Sequence, residues 1–346
     1  MFSLYGSMDC FTLPGLCYNQ NMTPDFATLA AQALDAYGKT NAACTYLQHS
    51  ENVTFRVQDG RKTYLLRLHS PRTPEMGQHG SDPAMIESEL IWLDALKRAR
   101  LPVPTAIRNR AGQLVTRLEW EQTPLNASLL TWLDGMDYTR ELESEETAAK
   151  VGDLLGRLHK HASRWRLPED FTRPTRDLDF FRAALESLRP AVSDGRIAYG
   201  DLRHFEDALE TLAFHLGHLQ KTRQTWSLIH GDPYKGNFIY NDGRLSMIDF
   251  SLCAFGYPLF DLALALSDTR ENLRANLLSE YQKHAKLPER WQTLLEGLYL
   301  ASMVGTFSFW INSPEAQEEL VRRVPLIAQE YAAKFNYDER FWFSTV

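Results

Sequence analysis

Cysteine and uninterrupted hydrophobic runs are scarce in this sequence of 346 residues. Its four cysteines, Cys10, Cys17, Cys44 and Cys253, show no CxxC spacing and are too few for a disulfide framework or a zinc site in so long a chain. The longest apolar stretch, residues 298–311, contains Ser, Gly and Thr and is shorter than the roughly 20 residues that cross a bilayer. We therefore predict reduced cysteines and a buried helix at 298–311.

Basic runs and a signal peptide are also missing. The formal net charge is -7 and no cluster of Lys or Arg could neutralise the phosphates of a nucleic acid. The N-terminal segment MFSLYGSMDCFTLPG lacks the basic start and continuous apolar core of a secretory signal. These features predict a cytoplasmic protein with neither nucleic acid nor membrane as a partner.

The length of the chain and a change of pattern near residue 134 predict two lobes. A single hydrophobic core seldom supports so many residues, and two lobes leave a cleft between them. Short β-branched or aromatic segments precede residue 134, whereas helical periodicity dominates after it. We predict an α+β protein with a leader at 1–22, an N-terminal lobe at 23–134 and a C-terminal lobe at 135–346.

The predicted N-terminal lobe is an antiparallel sheet, with one helix before its first strand and a second helix after its third strand. Thr23-Pro24 begins a helix that reaches Gly38, and Asp59-Gly60 is expected to form a hairpin turn in which both residues have positive φ. Thr123-Pro124 is interpreted as a break before the last strand. The predicted strands are 43–49, 52–58, 62–69, 113–120 and 128–133, with a second helix at 84–99.

The C-terminal lobe is predicted to be mainly helical, with one hairpin that carries the chemistry. The hairpin follows the polar loop HGDPYKGN at 230–237 and turns at 241–243. A turn so tight brings the two strand ends together, so Asp232, Asn237 and Asp249 should converge. The predicted helices are 144–162, 177–190, 199–221, 269–285, 288–311 and 315–334.

Two carboxylates and an amide at one hairpin are suited to phosphoryl transfer. Carboxylate and amide oxygens bind Mg²⁺, which keeps room for phosphate oxygens. In the kinase architecture, a loop Asp accepts the proton of the attacking hydroxyl while an Asn and a second Asp hold the metal. Asp232 is therefore the candidate base, and Asn237 and Asp249 are the candidate Mg²⁺ ligands.

The segment HGDPYKGNFIYNDGRLSMIDF, followed by GYPLFDLALAL, resembles the aminoglycoside phosphotransferase family. That family includes choline, homoserine and methylthioribose kinases and has a protein-kinase-like fold. The resemblance implies a magnesium-dependent enzyme that moves the γ-phosphate of ATP to a hydroxyl of a small molecule. It also implies that Asp232 is catalytic, that His230 organises the loop and that Asp261 anchors it.

The resemblance extends to the nucleotide-binding half. A basic residue on the third strand pairs with an acid on the following helix in kinase-like folds, and Arg67 and Glu89 occupy those places. The turn that contains Ser50 and Asn52 would cover the phosphates. The hinge that offers backbone groups to adenine would be formed by Trp132, Leu133 and Asp134.

The identity of the acceptor is left open. An aminoglycoside, an amino alcohol, homoserine or a sugar fits the resemblance, and Phe307, Phe309 and Trp310 could line a pocket for a cation or simply pack in the core. His159 and His161 lie two residues apart, on different faces of a helix, and are interpreted as structural or solvated. Oligomeric state is not predicted.

Two other functions are weighed against the small-molecule kinase. A protein Ser/Thr kinase of the same fold is disfavoured because only eleven residues separate Asp249 from Asp261, too few for a peptide-docking activation segment. Gly231 also replaces the Arg that contacts a phosphorylated activation loop in many protein kinases. A nucleotide-binding module without catalysis is disfavoured because the base and both metal ligands are present.

Overall fold

The computed structural model describes residues 26–49, 52–69, 82–120 and 123–342. The predicted leader and the helix start at Thr23-Pro24 lie outside these residues. Within the described part, the buried apolar side chains form two cores. The smaller core lies between the first helix and the N-terminal sheet. The larger core joins the second helix to the helices of the C-terminal half.

The N-terminal sheet is antiparallel throughout, as predicted. Its strand order is β1-β2-β3-β6-β4, and β5 pairs with the outer part of β6. Helix α1 (Phe26–Ala36) packs on it through an apolar face at helical spacing: Leu29, Ala30, Ala33 and Leu34. The strands are β1 (Ala43–His49), β2 (Asn52–Asp59), β3 (Lys62–His69), β4 (Ala106–Ile107), β5 (Thr116–Trp120) and β6 (Thr123–Thr131).

One turn and one strand boundary in this sheet lie at other residues than predicted. Asp59 pairs with Lys62, so the β2–β3 loop consists of Gly60 and Arg61, and of the predicted pair only Gly60 has a positive φ, 59°. Pro124 lies within β6 opposite Glu119, next to the Trp120–Thr123 pair at which the two strands are connected. Proline is tolerated there because the start of a strand can lack one ladder hydrogen bond.

Helix α2 (Pro83–Arg98) belongs to the larger core. Asp82 caps it, since its Oδ1 accepts the N–H of Ala84 at 2.9 Å, and Pro83 takes the first helical position. The apolar positions, Ile86, Leu90, Leu93 and Leu96, are buried in the larger core. Helix α2 packs on the C-terminal half, and its Glu89 pairs with Arg67 of β3. Glu89 therefore lies at the boundary between the two cores.

The second half is mainly helical, as predicted, with two small sheets. Its helices are α3 (Glu145–Ala162), α4 (Leu178–Glu186), α5 (Arg189–Ser193), α6 (Tyr199–Gly217), α7 (Pro258–Ser267), α8 (Arg274–Gln282), α9 (Trp291–Trp310), α10 (Gln317–Leu326), a π turn (Ile327–Ala332) and α11 (Ala333–Asn336). The strands are β7 (Met136–Asp137), β8 (Thr175–Arg176), β9 (Ser227–Ile229), β10 (Phe238–Asn241), β11 (Arg244–Met247) and β12 (Ala254–Gly256). They form the sheets β11-β10-β7 and β8-β12-β9.

Helix α7 is absent from the predicted list for a physical reason. All ten of its residues are buried, so it has no polar face and no helical alternation of apolar and polar positions. Its neighbour α9, predicted as a buried helix, is likewise mostly buried. In the part of the chain that the structure describes, no helix has the length and apolarity needed to span a bilayer.

Helices α3 and α8 approach each other closely because α3 has glycine at the contact. A β-carbon at Gly152 would overlap the carbonyl oxygen of Leu277, and one at Gly156 would lie 3.0 Å from the carbonyl oxygen of Tyr281. We expect Gly152→Ala to destabilise the protein by roughly 1 to 3 kcal/mol through overpacking, although Ala favours helix more than Gly. Thermal unfolding should show a lowered Tm.

The matched control is Gly200→Ala in α6. A β-carbon at Gly200 meets nothing within 4 Å, so the same substitution gains helix propensity without a clash and should raise Tm slightly. An unchanged or raised Tm in Gly152→Ala would contradict the close-packing explanation.

Candidate active site

The loop 230–237 and the β10–β11 hairpin bring three predicted site residues together. Phe238 pairs with Met247, and the N–H of Ile248 donates to the carbonyl oxygen of Asn237 at 2.9 Å, which sets Asn237 beside the residue that precedes Asp249. Asn237 also donates through Nδ2 to Oδ2 of Asp232 at 2.7 Å and to its carbonyl oxygen at 2.8 Å. The Oδ1 atom of Asn237 is thereby directed away from Asp232.

The carboxyl group of Asp232 is held in an unusual electrostatic environment. Burial, followed by the negative charge of Asp249, raises the pKa of Asp232 to about 7, although Arg176 and the Asn237 hydrogen bond act to lower it. A general base works best when its pKa lies near the working pH. A carboxyl group with such a pKa can accept a proton near neutral pH.

The position of Asp249 is fixed by its backbone and by the residue after it. Asp249 has a left-handed φ of 56°, and its Oδ1 accepts the N–H of Ser251 at 3.3 Å. The next residue, Phe250, is buried between Trp92 of α2 and the ring of His230, with centroids 5.5 and 4.5 Å away. The Asp-Phe pair thus links the hairpin both to α2 and to the loop 230–237.

The ring of His230 is hydrogen-bonded to the backbone at two points of the site. Its Nε2 donates to the carbonyl oxygen of Ile248 at 2.9 Å, and its Nδ1 accepts the N–H of Asp232 at 3.3 Å. Burial lowers the pKa of His230, so the ring is neutral and has one donor and one acceptor nitrogen. The ring holds the backbone on both sides of the site and does not line the cleft.

Asp261 lies under the catalytic loop. It is fully buried in α7, and its two oxygens accept the N–H of His230 at 2.7 Å and of Gly231 at 2.8 Å. Gly231 has a φ of 86°, and a β-carbon there would overlap the carbonyl oxygen of Leu252. Asp261 therefore fixes the two residues that immediately precede Asp232.

The support of Asp261 continues into α3 and α8. His159 is buried, with Nε2 3.0 Å from Oδ2 of Asp261 and Nδ1 3.0 Å from the hydroxyl of Tyr281. His161 instead stacks on Trp165. The structural interpretation of His159 agrees with this geometry, but its contact with Asp261 was not predicted. A signal existed: His159 lies on the otherwise apolar face of α3.

Lys235 is a further residue of the loop to which no role was assigned. Its Nζ lies 3.3 Å from Oε1 of Glu143 and 3.2 Å from Oδ1 of Asp268. Its backbone N–H donates to Oδ2 of Asp268 at 2.6 Å. Arg270 also pairs with Glu143, at 3.3 Å. This charge network ties the loop to the segment before α3 and to the end of α7.

The predicted pair of Arg67 and Glu89 is present. Nη2 of Arg67 lies 2.8 Å from Oε1 of Glu89, both side chains are buried, and Nε of Arg67 donates to Ser128. Burial acts to lower the pKa of Arg67, but the charges of Glu89 and Asp249 outweigh it and raise that pKa. The guanidinium therefore lies close enough to Asp249 for the charge of that carboxylate to act on it.

The other residues predicted to contact the nucleotide are less clearly connected with the cleft. Ser50 lies outside the described residues, while Asn52 begins β2 and lines the cleft beside Asp232. The N–H of Trp132 donates to Thr63, at 3.2 Å, and the carbonyl oxygen of Asp134 accepts from the side chain of Asn241, at 3.0 Å. Trp132, Leu133 and Asp134 are not among the residues that line this cleft. Their contact with adenine remains a prediction.

A cleft of about 1650 Å³ opens over Asp232 and Asn237. Asn52 and Glu89 line one side, and α4 and α9 form the opposite wall. That wall includes Phe309 and Trp310 of the predicted aromatic set, whereas Phe307 is buried and packs on Phe205. The volume suffices for a small organic molecule.

The donor set suits a metal that keeps phosphate oxygens among its ligands. Within the described ranges, no group of three or more His, Cys, Asp or Glu side chains could hold a metal ion by itself. Asp249 and Oδ1 of Asn237 offer one carboxylate and one amide oxygen at the hairpin end. Mg²⁺ is commonly bound by one or two carboxylates plus substrate phosphates, so these residues fit it.

Together, the antiparallel sheet with its buried Arg–Glu pair and the Asp-bearing loop beside an Asp-Phe hairpin define a kinase-like phosphotransferase. A family model described as "Phosphotransferase enzyme family" matches residues 44–295, more than half of the chain. The chain belongs to this family. The predicted family, the predicted fold class and the predicted class of enzyme are confirmed.

Three similar proteins are kinases of small molecules by their names. A homoserine kinase of Pseudomonas aeruginosa is 28% identical over 290 residues, which are 80% of this chain and 82% of the relative. The solved structure of a microcompartment-associated aminopropanol kinase has a TM-score of 0.76 and 22% identity, with 91% of this chain and 99% of that one covered. The solved structure of an amicoumacin kinase in complex with AMP-PNP, Ca²⁺ and Ami has a TM-score of 0.71 and 14% identity, with 91% of this chain and 94% of that one covered.

Proposed function

We propose that this protein transfers the γ-phosphoryl group of ATP to a hydroxyl of a small molecule in a Mg²⁺-dependent reaction. The observation that carries the proposal is the Asp232 carboxylate, hydrogen-bonded to Asn237 and close to Asp249, in a cleft of about 1650 Å³. The names of the relatives, which include a homoserine kinase and an aminopropanol kinase, support a small acceptor.

The roles of the residues follow from their positions. Asp232 orients the acceptor hydroxyl and takes its proton, and Asn237 holds the Asp232 carboxylate in place through Nδ2. Asn237 Oδ1 and Asp249 would hold Mg²⁺, which neutralises charge on the phosphates when bound. Arg67, fixed by Glu89, would contact the phosphates with donors that remain charged at every working pH.

The remaining assignments extend this proposal. Asn52 and the turn before it would cover the phosphates, and the backbone at 132–134 would bind adenine. The lobes would divide near residue 134, with 23–134 on the nucleotide side and 135–346 on the acceptor side. A cytoplasmic location and the absence of a nucleic-acid partner stay predictions.

A peptide acceptor fits the geometry less well. The residues between Asp249 and Asp261 form β12, which pairs with β8 and β9, and then enter the buried start of α7. A protein kinase would need a longer segment there on which a peptide could dock. The cleft over Asp232 has room for a small acceptor without such a segment.

The test is an acceptor screen with the purified full-length protein. ADP release with ATP and Mg²⁺ would be measured against amino alcohols, hydroxy amino acids, sugars, aminoglycosides and generic protein substrates. We expect release that depends on one small-molecule class and stops when EDTA removes the divalent ion. Stabilisation by ATP without transfer to any acceptor would instead favour a non-catalytic module, and transfer to protein alone would favour a protein kinase.

A further inference from the structure

An arginine lines the acceptor side of the cleft next to the proposed base. Arg176 ends the short strand β8, which pairs in parallel with β12 through Gly256. Its guanidinium carbon lies 5.5 Å from the ring centroids of both Phe180 and Phe260, and all three residues line the cleft. The two rings support the position of the cation through cation–π contact and exclude part of its water.

The position of Arg176 relative to Asp232 follows from two observations. A β-carbon on Gly231, the residue before Asp232, would lie 3.5 Å from Nε of Arg176. The charge of Arg176 also acts to lower the pKa of Asp232. The guanidinium therefore lies within a few ångströms of the loop 230–237, in the lining of the cleft.

Other charged side chains near Arg176 have contacts of their own, with the backbone or with a neighbouring side chain. Arg173 donates to the carbonyl oxygens of Cys253, Met85 and Ser251, so its guanidinium is part of the backbone framework. Oδ1 of Asp177 caps α4 by accepting the N–H of Phe180. Asp179 has an exposed side chain that lies 3.6 Å from Arg182. Arg176 combines a place in the lining of the cleft with closeness to the residue before Asp232.

We propose that Arg176 binds the acceptor and that the acceptor carries a carboxylate a few bonds from its reacting hydroxyl. The planar guanidinium matches a carboxylate through two parallel hydrogen bonds, which makes the pair both strong and orienting. With its carboxylate on Arg176, a short hydroxy acid presents its hydroxyl to the neighbouring Asp232. This inference rests on the proposed function and narrows its acceptor to small hydroxy acids, with or without an amino group.

The experiment compares acceptors that differ only in the carboxylate. Homoserine would be paired with 3-aminopropan-1-ol, and 4-hydroxybutyrate with propan-1-ol. The readout is the ratio of kcat/KM within each pair, measured in the wild type and in Arg176→Met, which keeps an apolar stem against Phe180 and Phe260. We expect the wild type to favour the acid at least tenfold, about 1.4 kcal/mol, and the variant to lose most of that preference.

Two further variants separate charge from structure. Arg176→Lys keeps the charge without the planar fork and should retain part of the preference. Arg182→Met, on α4 and paired with Glu210 at 3.2 Å, removes an arginine outside the cleft lining and should leave the ratio as in the wild type. A wild-type preference for the carboxylate-free members, or an equal loss on both members in Arg176→Met, would overturn the proposal.

A binding measurement keeps this test separate from the proposed function. Calorimetric titration of homoserine and 4-hydroxybutyrate into the protein with AMP-PNP and Mg²⁺ requires no phosphoryl transfer. Binding that weakens at least tenfold in Arg176→Met supports the carboxylate site even where neither acid is phosphorylated. Absence of binding by both acids overturns the site, whereas failure of every acceptor in the transfer screen would count against the kinase itself.

Discussion

Replacing Asp232 with Asn is expected to lower kcat by roughly 10²- to 10⁴-fold, the usual contribution of a positioned general base. The amide preserves the shape of the side chain but cannot take the proton of the attacking hydroxyl. ATP binding should change little because Asp232 is assigned to the acceptor and not to the phosphates. Steady-state rates with the best acceptor from the screen, together with nucleotide affinity by calorimetry, measure both effects.

The same substitution should make the protein more stable at alkaline pH. The pKa of Asp232 is raised from 3.8 to about 7 by burial and by Asp249, so the folded state binds a proton more tightly than the unfolded chain. Stability is therefore lost as pH rises between these two values, and the full cost of the ionised carboxylate is present above pH 7. Asp232→Asn removes that cost.

We expect the metal-free Asp232→Asn variant to have a Tm a few degrees above the wild type at pH 8, which corresponds to on the order of 1 to 2 kcal/mol. The difference should vanish near pH 4. An inactive variant with a higher Tm cannot owe its loss of turnover to misfolding. Retained turnover, or a lower Tm at pH 8, would contradict the role of Asp232 as a buried base.

The catalytic hairpin was predictable because its signals are local. Asn241 pairs with Arg244 across a two-residue loop in which Asp242 and Gly243 both have positive φ, the conformation that Asp-Gly favours. The spacing of Asp232, Asn237 and Asp249 then follows from strand pairing. At Asp59-Gly60 the same dipeptide predicted the turn one residue too early, since the register of β2 with β3 places the turn at Gly60 and Arg61.

Contacts between distant segments were beyond prediction from sequence patterns. Arg67 and Glu89 could be paired because the family resemblance supplied the partnership. No such guide existed for Arg176, which reaches the catalytic loop only through the pairing of β8 with β12. His159 likewise meets Asp261 across 102 positions of the chain through packing of two helices. Such contacts are set by tertiary packing, which the periodicity and the turn residues of a sequence do not reveal.

Asp261→Asn is expected to lower both stability and turnover, because it disturbs the anchor of the catalytic loop. The Asp261 carboxylate is fully buried and contacts three nitrogens, those of the His230 and Gly231 backbone and Nε2 of His159. Asparagine offers one acceptor oxygen where the carboxylate has two, and its amide group would face a backbone N–H. Leaving a buried donor unsatisfied costs about 1 to 3 kcal/mol, and more where charge is involved.

A Tm lowered by several degrees and a kcat reduced by about 10- to 100-fold are therefore expected for Asp261→Asn, with rates measured well below its Tm. Asp242→Asn is the matched control: this exposed Asp lies in the β10–β11 turn, where Asn also tolerates its φ of 45°. Both its Tm and its kcat should match the wild type. If Asp261→Asn unfolded earlier but kept wild-type kcat, Asp261 would be important for folding without positioning Asp232. The proposed base would then depend on His230, Asn237 and Lys235 for its orientation.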